Sequence, residues 1–345
     1  MAQEKPARAA NIFDVARLAG VSHQTVSRVI NGLPNVRPAT KERVEQAMKQ
    51  LRYSPSPAAR ALVTRRTRTI GLITSGSVDY GPSSIAMHFN RAARDARYSV
   101  DTVSTGEREP VTAKRAVEGL LRQRVDAIVI VVNDAEVLEM VRALDVGVPL
   151  VVAASTARRG PQLVAIDQYR GARAAVRHLA ELGHTQIVHL AGPEQSTDAI
   201  ERVRGWRDEL ASRRLEASEP RHGDWTAGSG FAIGAELDIA RGAAVFVGND
   251  QMAIGLMSAL RRRDLLVPED VSIVGFDDIP EAAYLYPPLT TVRQDFAALG
   301  QMMMQKVLVA LEEGIDESAD TPLPTQLVVR ESTREFAPHP LSGTH

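Results

Sequence analysis

From Thr69 onward the chain alternates short apolar runs with amphipathic stretches, and few folds accept that pattern. Ile70–Ile73, Ser99–Val103, Ala127–Val132 and Leu150–Ala153 read as buried parallel strands, with helical periodicity between them over Thr112–Arg124 and Ala135–Leu144. A second set follows, with strands at Ile187–Leu190, Ala244–Val247 and Ser272–Phe276. Helices around Gly171–Leu182, Ile200–Arg213, Ala227–Leu237 and Met252–Arg262 separate them. Repeated strand–helix units imply parallel sheets covered by helices on both faces, so two sets imply two doubly wound α/β subdomains. Hydrophobic residues make up 44% of the chain and aromatics only 4%, which suits Ala/Val/Leu-rich α/β layers rather than a β-sandwich. Ligands of such sheets sit at the carboxyl ends of the strands, here in the cleft between two facing subdomains.

The first 56 residues are different in kind. Asp14 to Gly32 reads as two short helices joined by a tight turn at Gly20, Val21 and Ser22. Gly20 permits the left-handed backbone that ends the first helix, and Ser22 can cap the second. Val15, Leu18 and Ala19 are expected on the inner face of the first helix, and Val26, Val29 and Ile30 on that of the second. That leaves His23, Gln24, Thr25, Ser27, Arg28 and Asn31 pointing outward, the arrangement of a helix-turn-helix that enters the major groove of DNA. A third helix begins at Pro38, with Val44, Ala47, Met48 and Leu51 at helical spacing, and closes a small all-α head.

Charge separates the head from the body. Residues 1–68 hold 13 Lys/Arg against 4 Asp/Glu, whereas the whole chain has 41 against 42. A basic head on an acidic body points to a polyanionic partner at one end. Pro55 and Pro57 break the third helix, and Ala58–Val63 is a helix-prone segment too short to stand alone in water. The expected division is therefore a head over 1–56, a linker over 57–68 and a core over 69–345.

Four motifs in order carry a resemblance that runs from about Asn11 to Glu331. They are the Val21–Asn31 segment, Asn249–Ala253, Val274–Asp278 and Pro287–Asp295. With them the chain resembles the LacI/GalR family of transcription regulators. The resemblance implies a core of the periplasmic-binding-protein-like type. It implies that Ala58–Val63 is a hinge helix folding on operator DNA, with Ala59 and Leu62 in the minor groove and Leu62 wedged between base steps. It also implies crossings between subdomains near Leu163–Asp167 and Thr290–Gln294. Asp295–Glu313 and Thr325–Val329 would then return to the first subdomain, which would span about 69–165 and 293–330, with the second over about 166–292.

Base reading is assigned to His23, Gln24 and Arg28, since Gln pairs bidentately with adenine and Arg with guanine. Ser22, Thr25, Ser27, Asn31 and Thr40 are assigned to phosphates, which set register without choosing sequence. The effector site is expected to comprise Thr74, Ser75, Asp79, Ile166, Arg202, Trp225, Asn249, Asp277 and Gln294. Asn249 and Asp277 each end a buried strand and could grip a vicinal diol, Arg202 adds a donor fork, and Trp225 offers a flat face to a pyranose ring. Ala154 stands where the lactose-responsive family pattern has a sugar-binding Asp.

Other classes find little support. There is no cysteine, hence no disulfide or thiolate metal site, and the eight His form no metal-spaced cluster. No apolar run approaches membrane-spanning length, and Met1–Arg8 has no signal-peptide core, so a cytoplasmic location is expected. Gly228–Gly234 lacks the spacing and the preceding strand of a dinucleotide fingerprint, and no nucleophile-elbow or phosphate-loop motif occurs, so neither an enzyme nor a cofactor is expected. The expectation is a dimeric repressor of sugar-utilisation genes that a small saccharide releases from a pseudo-palindromic operator. A purine-type corepressor mode and a sugar receptor without a DNA role remain open. Pro338, Pro340 and Gly343 near the C-terminus leave no room for a tetramerising leucine helix, which favours the dimer.

Overall fold

The computed structural model describes residues 10–30, 34–53, 66–75, 79–105, 110–156, 160, 162–314, 318 and 320–336. Asn31, Ala59 and Leu62 lie outside the described residues. The chain divides into two compact units, Met1–Thr69 and Ile70–His345.

The head contains α1 (Ile12–Ala19), α2 (His23–Ile30) and α3 (Pro38–Gln50). Asn11 caps α1 in a reciprocal box with Asp14, and Gly20 ends it at φ 64°. That left-handed turn lets the Val21 N–H donate to the Ala16 carbonyl at 3.0 Å. The Ser22 hydroxyl then accepts from the Thr25 N–H at 3.2 Å and starts α2. Val15, Ala16, Ala19, Val26, Val44 and Ala47 are buried together, with Val29, Ile30, Met48 and Leu51 packed around them. Leu18 departs from the expected pattern. It is 46% exposed, because Val15, Ala16 and Ala19 already fill the inner stripe of an eight-residue helix and Leu18 falls beyond its edge.

The larger unit holds two sheets. The first contains β1 (Thr69–Ser75), β2 (Ser99–Thr105), β3 (Ala127–Val131), β4 (Leu150–Ala153) and β5 (Leu163–Val164), in the order β2-β1-β3-β4-β5. Between them run α4 (Tyr80–Asp95), α5 (Pro110–Arg122) and α6 (Ala135–Arg142). β1 and β3 are buried on both faces, so they read as unbroken apolar runs. β2 is an edge strand and half exposed, unlike the buried strand expected there.

The second sheet has β6 (Ile187–Ala191), β7 (Arg221–His222), β8 (Ala244–Val247), β9 (Ser272–Asp277), β10 (Thr290–Arg293) and β11 (Gln326–Val328), in the order β11-β10-β9-β8-β6-β7. α7 (Gln168–Glu181) and α8 (Thr197–Ser212) pack on one face around Trp206, Phe246 and Phe276. On the other, α9 (Ala227–Glu236) and α10 (Asp250–Arg262) pack around Val245, Leu256 and Ile273. Gly228–Gly234 thus lies within a helix. α11 (Phe296–Glu312) returns to the first sheet, where Phe296, Met303 and Val307 join the cluster of Ile70, Leu72 and Phe89.

Two expectations about the crossings are corrected. Thr290–Arg293 is a strand of the second sheet, so the crossing follows it, between Gln294 and Phe296. Thr325–Val329 does not return to the first sheet, because Gln326–Val328 pairs antiparallel with Arg293–Thr291. The backbone N–H and C=O groups along the open edge of β10 need partners, and this segment supplies them. The first-sheet contact on that side is made earlier, where Ile166 bridges Leu323.

Candidate effector cleft and DNA-reading face

Strand ends of both sheets converge on one cleft of about 700 Å³, counting its open mouth. Val131–Asn133 and Ala153–Ser155 come from the first sheet, and Asn249, Asp277 and Gln294 end strands of the second. The first-sheet wall is mostly apolar, with Ile85, Val132, Val164, Phe296 and Leu299, and the opposite wall carries most of the polar groups. Seven residues singled out from the sequence line the cleft: Asp79, Ile166, Arg202, Trp225, Asn249, Asp277 and Gln294.

Four buried side chains form a ring there, joined by three hydrogen bonds and closed by an ion pair. Arg202 Nε donates to Gln168 Oε1 at 3.0 Å, Gln168 Nε2 to Gln294 Oε1 at 2.7 Å, and Gln294 Nε2 to Asp277 Oδ1 at 2.6 Å. The Asp277 carboxylate returns to Arg202 Nη2 at 3.6 Å. Arg202 also donates to the Gly248 carbonyl, and its guanidinium plane lies 3.9 Å from the centre of the Phe276 ring. Burial pushes the Asp277 carboxyl up to about 7, against the pull of Arg202 and of Gln294. A buried polar ring whose members satisfy one another is rigid, which is what a binding wall needs.

Asn249 and Trp225 are coupled. Asn249 Oδ1 caps α10 by accepting from the Met252 N–H at 2.9 Å, while its Nδ2 donates to the Trp225 carbonyl at 3.0 Å. That bond holds Trp225 at φ 75°, with its indole lying against the backbone of Gly192. Asn249 thus orients the aromatic face as well as lining the cleft. Its neighbour Asp250 is wholly buried and accepts from Ile279 N–H at 2.9 Å and Thr291 hydroxyl at 2.6 Å. Burial raises its carboxyl to about 8, and the nearby Asp277 adds to the rise.

Thr74 and Ser75 are not part of this lining. The Thr74 carbonyl accepts from Thr105 Oγ1 at 3.2 Å, which ties the end of β1 to the β2 edge, and Ser75 faces a separate small pocket with Thr105. Gln168 and Tyr80 line the cleft and were missed. Gln168 opens α7 immediately after a crossing, and only the folded chain brings it to Gln294, 126 positions away. Tyr80 packs edge-on against Phe296 at 5.8 Å and also touches the apolar cluster of the second sheet. At one side the two sheets are joined by backbone: Asp134 bridges Ser196, and Thr197 N–H donates to the Asn133 carbonyl at 3.0 Å.

On the head, His23, Gln24 and Arg28 are exposed along α2, as is Ser22 at its cap, while Thr25, Ser27 and Thr40 are half-buried. The His23 ring lies 5.1 Å from that of Phe13, which positions it at the helix start. A helix presenting one amide, one guanidinium and one imidazole in succession can address base edges.

Comparison with known proteins gives this arrangement a context. Residues 11–56 match the model of bacterial regulatory proteins, lacI family, and residues 176–333 that of the periplasmic binding protein-like domain. The lactose operon repressor of Escherichia coli (strain K12) is 38% identical over 328 residues, covering 93% of this chain and 90% of that one. The chain belongs to the LacI family of bacterial regulatory proteins. It is a DNA-binding transcriptional regulator with a helix-turn-helix head and a two-subdomain α/β core. The lac repressor dimer bound to operator and the anti-inducer ONPF superposes with a TM-score of 0.86 at 34% identity, covering 95% of this chain and all of that one. A CelR–cellobiose complex reaches 0.69 at 32% identity, covering 94% and 99%. The PurR repressor of Vibrio cholerae serotype O1 (strain M66-2) is 33% identical over 345 residues, covering 95% and 99%. These relatives are regulators, and among the described residues no helix is long and apolar enough to cross a membrane.

Proposed function

We propose that the protein is a cytoplasmic repressor of sugar-utilisation genes, binding a pseudo-palindromic operator as a homodimer and released by a small saccharide in the cleft. The observation that carries the ligand class is the pairing of the Arg202–Gln168–Gln294–Asp277 ring with the Trp225 face. Fixed donors and acceptors beside a flat apolar surface suit a pyranose, which has hydroxyls at its edge and C–H groups on its face. A bound cellobiose in one relative and a lactose repressor as another support the same class. Two copies of the head match two half-sites, with His23, Gln24 and Arg28 reading bases and Ser22, Thr25, Ser27 and Thr40 holding phosphates. Asn31 is assigned to the phosphates too, and Ala59 and Leu62 to the minor groove, on the family pattern alone.

Mechanistically, the ligand must bind one conformation of the core better than another. Arg202, Asp277 and Gln294 approach it from the second sheet and Asp79 and Ile166 from the first, so a sugar touching both favours one relative placement of the two sheets. Lowering operator affinity about 10³-fold requires roughly 4 kcal/mol of differential binding, within reach of a few hydroxyl hydrogen bonds made in only one placement. The test is binding to a fluorescent palindrome with a central CpG step, titrated with galactosides, glucosides, pentoses and purines. Release by a saccharide is the expected result. Tightening by a purine would move the protein to the corepressor mode, and no DNA binding at low salt would contradict this operator class.

A further inference from the structure

The charges around the cleft restrict its ligand further than the saccharide reading, on which this inference rests. Four charged side chains are found among the described lining residues: Asp79, Asp198, Asp277 and Arg202. They come from both walls. Asp79 precedes α4 on the first-sheet side, Asp198 lies in the first turn of α8, and Asp277 ends β9. Arg202 is the one cation among them; its Nε and one terminal nitrogen are hydrogen-bonded, and the other terminal nitrogen faces two acids. Besides Gln168 and the Gly248 carbonyl, it faces Asp277 at 3.6 Å and Asp198 at 4.0 Å. Phe276 covers one face of its plane.

A guanidinium held this way can share a donor with a hydroxyl. To clamp a phosphate or carboxylate bidentately, it would have to release both acids. The incoming anion would meanwhile face the carboxylates of Asp79 and Asp198, joined by Asp277 once it ionises, in a partly dehydrated space where like charges repel far more strongly than in water. We propose that the effector is a sugar without negative charge, and that Asp79 and Asp198 exclude its phosphorylated and acidic forms. A regulator with this filter senses the sugar ahead of phosphorylation. Transfer of a phosphoryl group from a nucleoside triphosphate to a sugar hydroxyl, with loss of the hydroxyl proton, ends the signal.

Calorimetric titration of the full chain tests this with matched sets of a neutral sugar, its 6-phosphate and its uronic acid, for galactose, glucose and their disaccharides. The expected result is a neutral sugar that binds while its charged counterparts bind at least about 100-fold more weakly. In the double variant Asp79→Asn/Asp198→Asn that gap narrows by about tenfold or more, and in Asp198→Asn alone it narrows less but in the same direction. Thermal melts of each variant establish that it folds. A phosphorylated or acidic sugar that binds as tightly as its neutral partner overturns the proposal and leaves the saccharide reading intact. A cleft that takes a purine base and no sugar overturns the saccharide reading and this proposal with it.

Discussion

Arg202 holds together groups from three separate parts of the chain, so its removal should be felt beyond a single lost contact. In Arg202→Ala, Gln168 loses its donor and Asp277 the cation that faces it at 3.6 Å, and a saccharide should bind at least about 100-fold more weakly. Operator binding by the head should persist, giving a repressor that sugar no longer releases, as a DNA-binding assay with and without ligand would show. Asp277 adds a pH dependence. With its carboxyl raised to about 7 by burial, it is largely protonated at pH 6 and ionised at pH 8. The ionised form accepts hydroxyl hydrogens on both oxygens, so sugar affinity should rise through neutral pH, and Asp277→Asn should flatten that rise. Much of this site was legible in the sequence. Asn249, Asp277 and Gln294 sit in recognisable motifs, Arg202 and Trp225 were singled out by their side-chain chemistry, and the strand ends pointed to the cleft. Gln168 was not legible, because a glutamine opening a helix carries no local signal and its role depends on a contact 126 residues away. Thr74 and Ser75 are not among the cleft's lining residues. They occupy a plausible strand end, but the Thr74 carbonyl is tied to the neighbouring edge strand and Ser75 lines a separate pocket.

Among the elements, those defined by strong periodicity were found where the pattern placed them, and the misreadings were short or lay at an edge. β11 is three residues long and pairs antiparallel with a strand that was itself read as a crossing. No hydrophobic period marks so short a piece. Helix packing was equally hidden, since closeness between α9 and α10 depends on what is missing from Gly230, Gly234 and Gly255. A Cβ on Gly255 would lie 1.9 Å from the Ala227 carbonyl oxygen, which is backbone and cannot rotate away. Gly255→Ala should therefore destabilise the core by about 1–3 kcal/mol through forced separation of these helices, read as a lower denaturant midpoint. Gly20→Ala is a contrasting case. A Cβ there meets nothing within 4 Å, but the φ of 64° penalises any side chain, so a loss of about 1 kcal/mol is expected in the head alone. On α2, Arg28→Ala should cost about 1–3 kcal/mol of operator binding and relax preference at one base pair per half-site, measured by competition among operator variants.

For the whole molecule, buried acids tie stability to pH. Asp250 and Asp277 are raised to about 8 and about 7, so the folded state keeps protons that the unfolded chain releases above about 4. Their contribution is fully present below about pH 4 and is lost as pH rises through 7 and 8. Glu209 behaves oppositely. Burial pushes it up, but hydrogen bonds from Arg177, Arg213 and Arg173 outweigh that and bring it down to about 2, so its contribution is lost only as pH falls toward 2. The melting temperature should accordingly decline between pH 6 and 8.5, and less steeply in Asp250→Asn. The central claim concerns both ends of the chain at once: sugar in the cleft and operator on the heads oppose each other through one conformational equilibrium. Thermodynamic linkage makes that claim measurable, because the factor by which sugar weakens operator binding must equal the factor by which operator weakens sugar binding. Both affinities, determined in one buffer by titration with each partner absent and saturating, should change by the same ratio, on the order of 10³. A sugar affinity that is identical with and without operator would contradict the account.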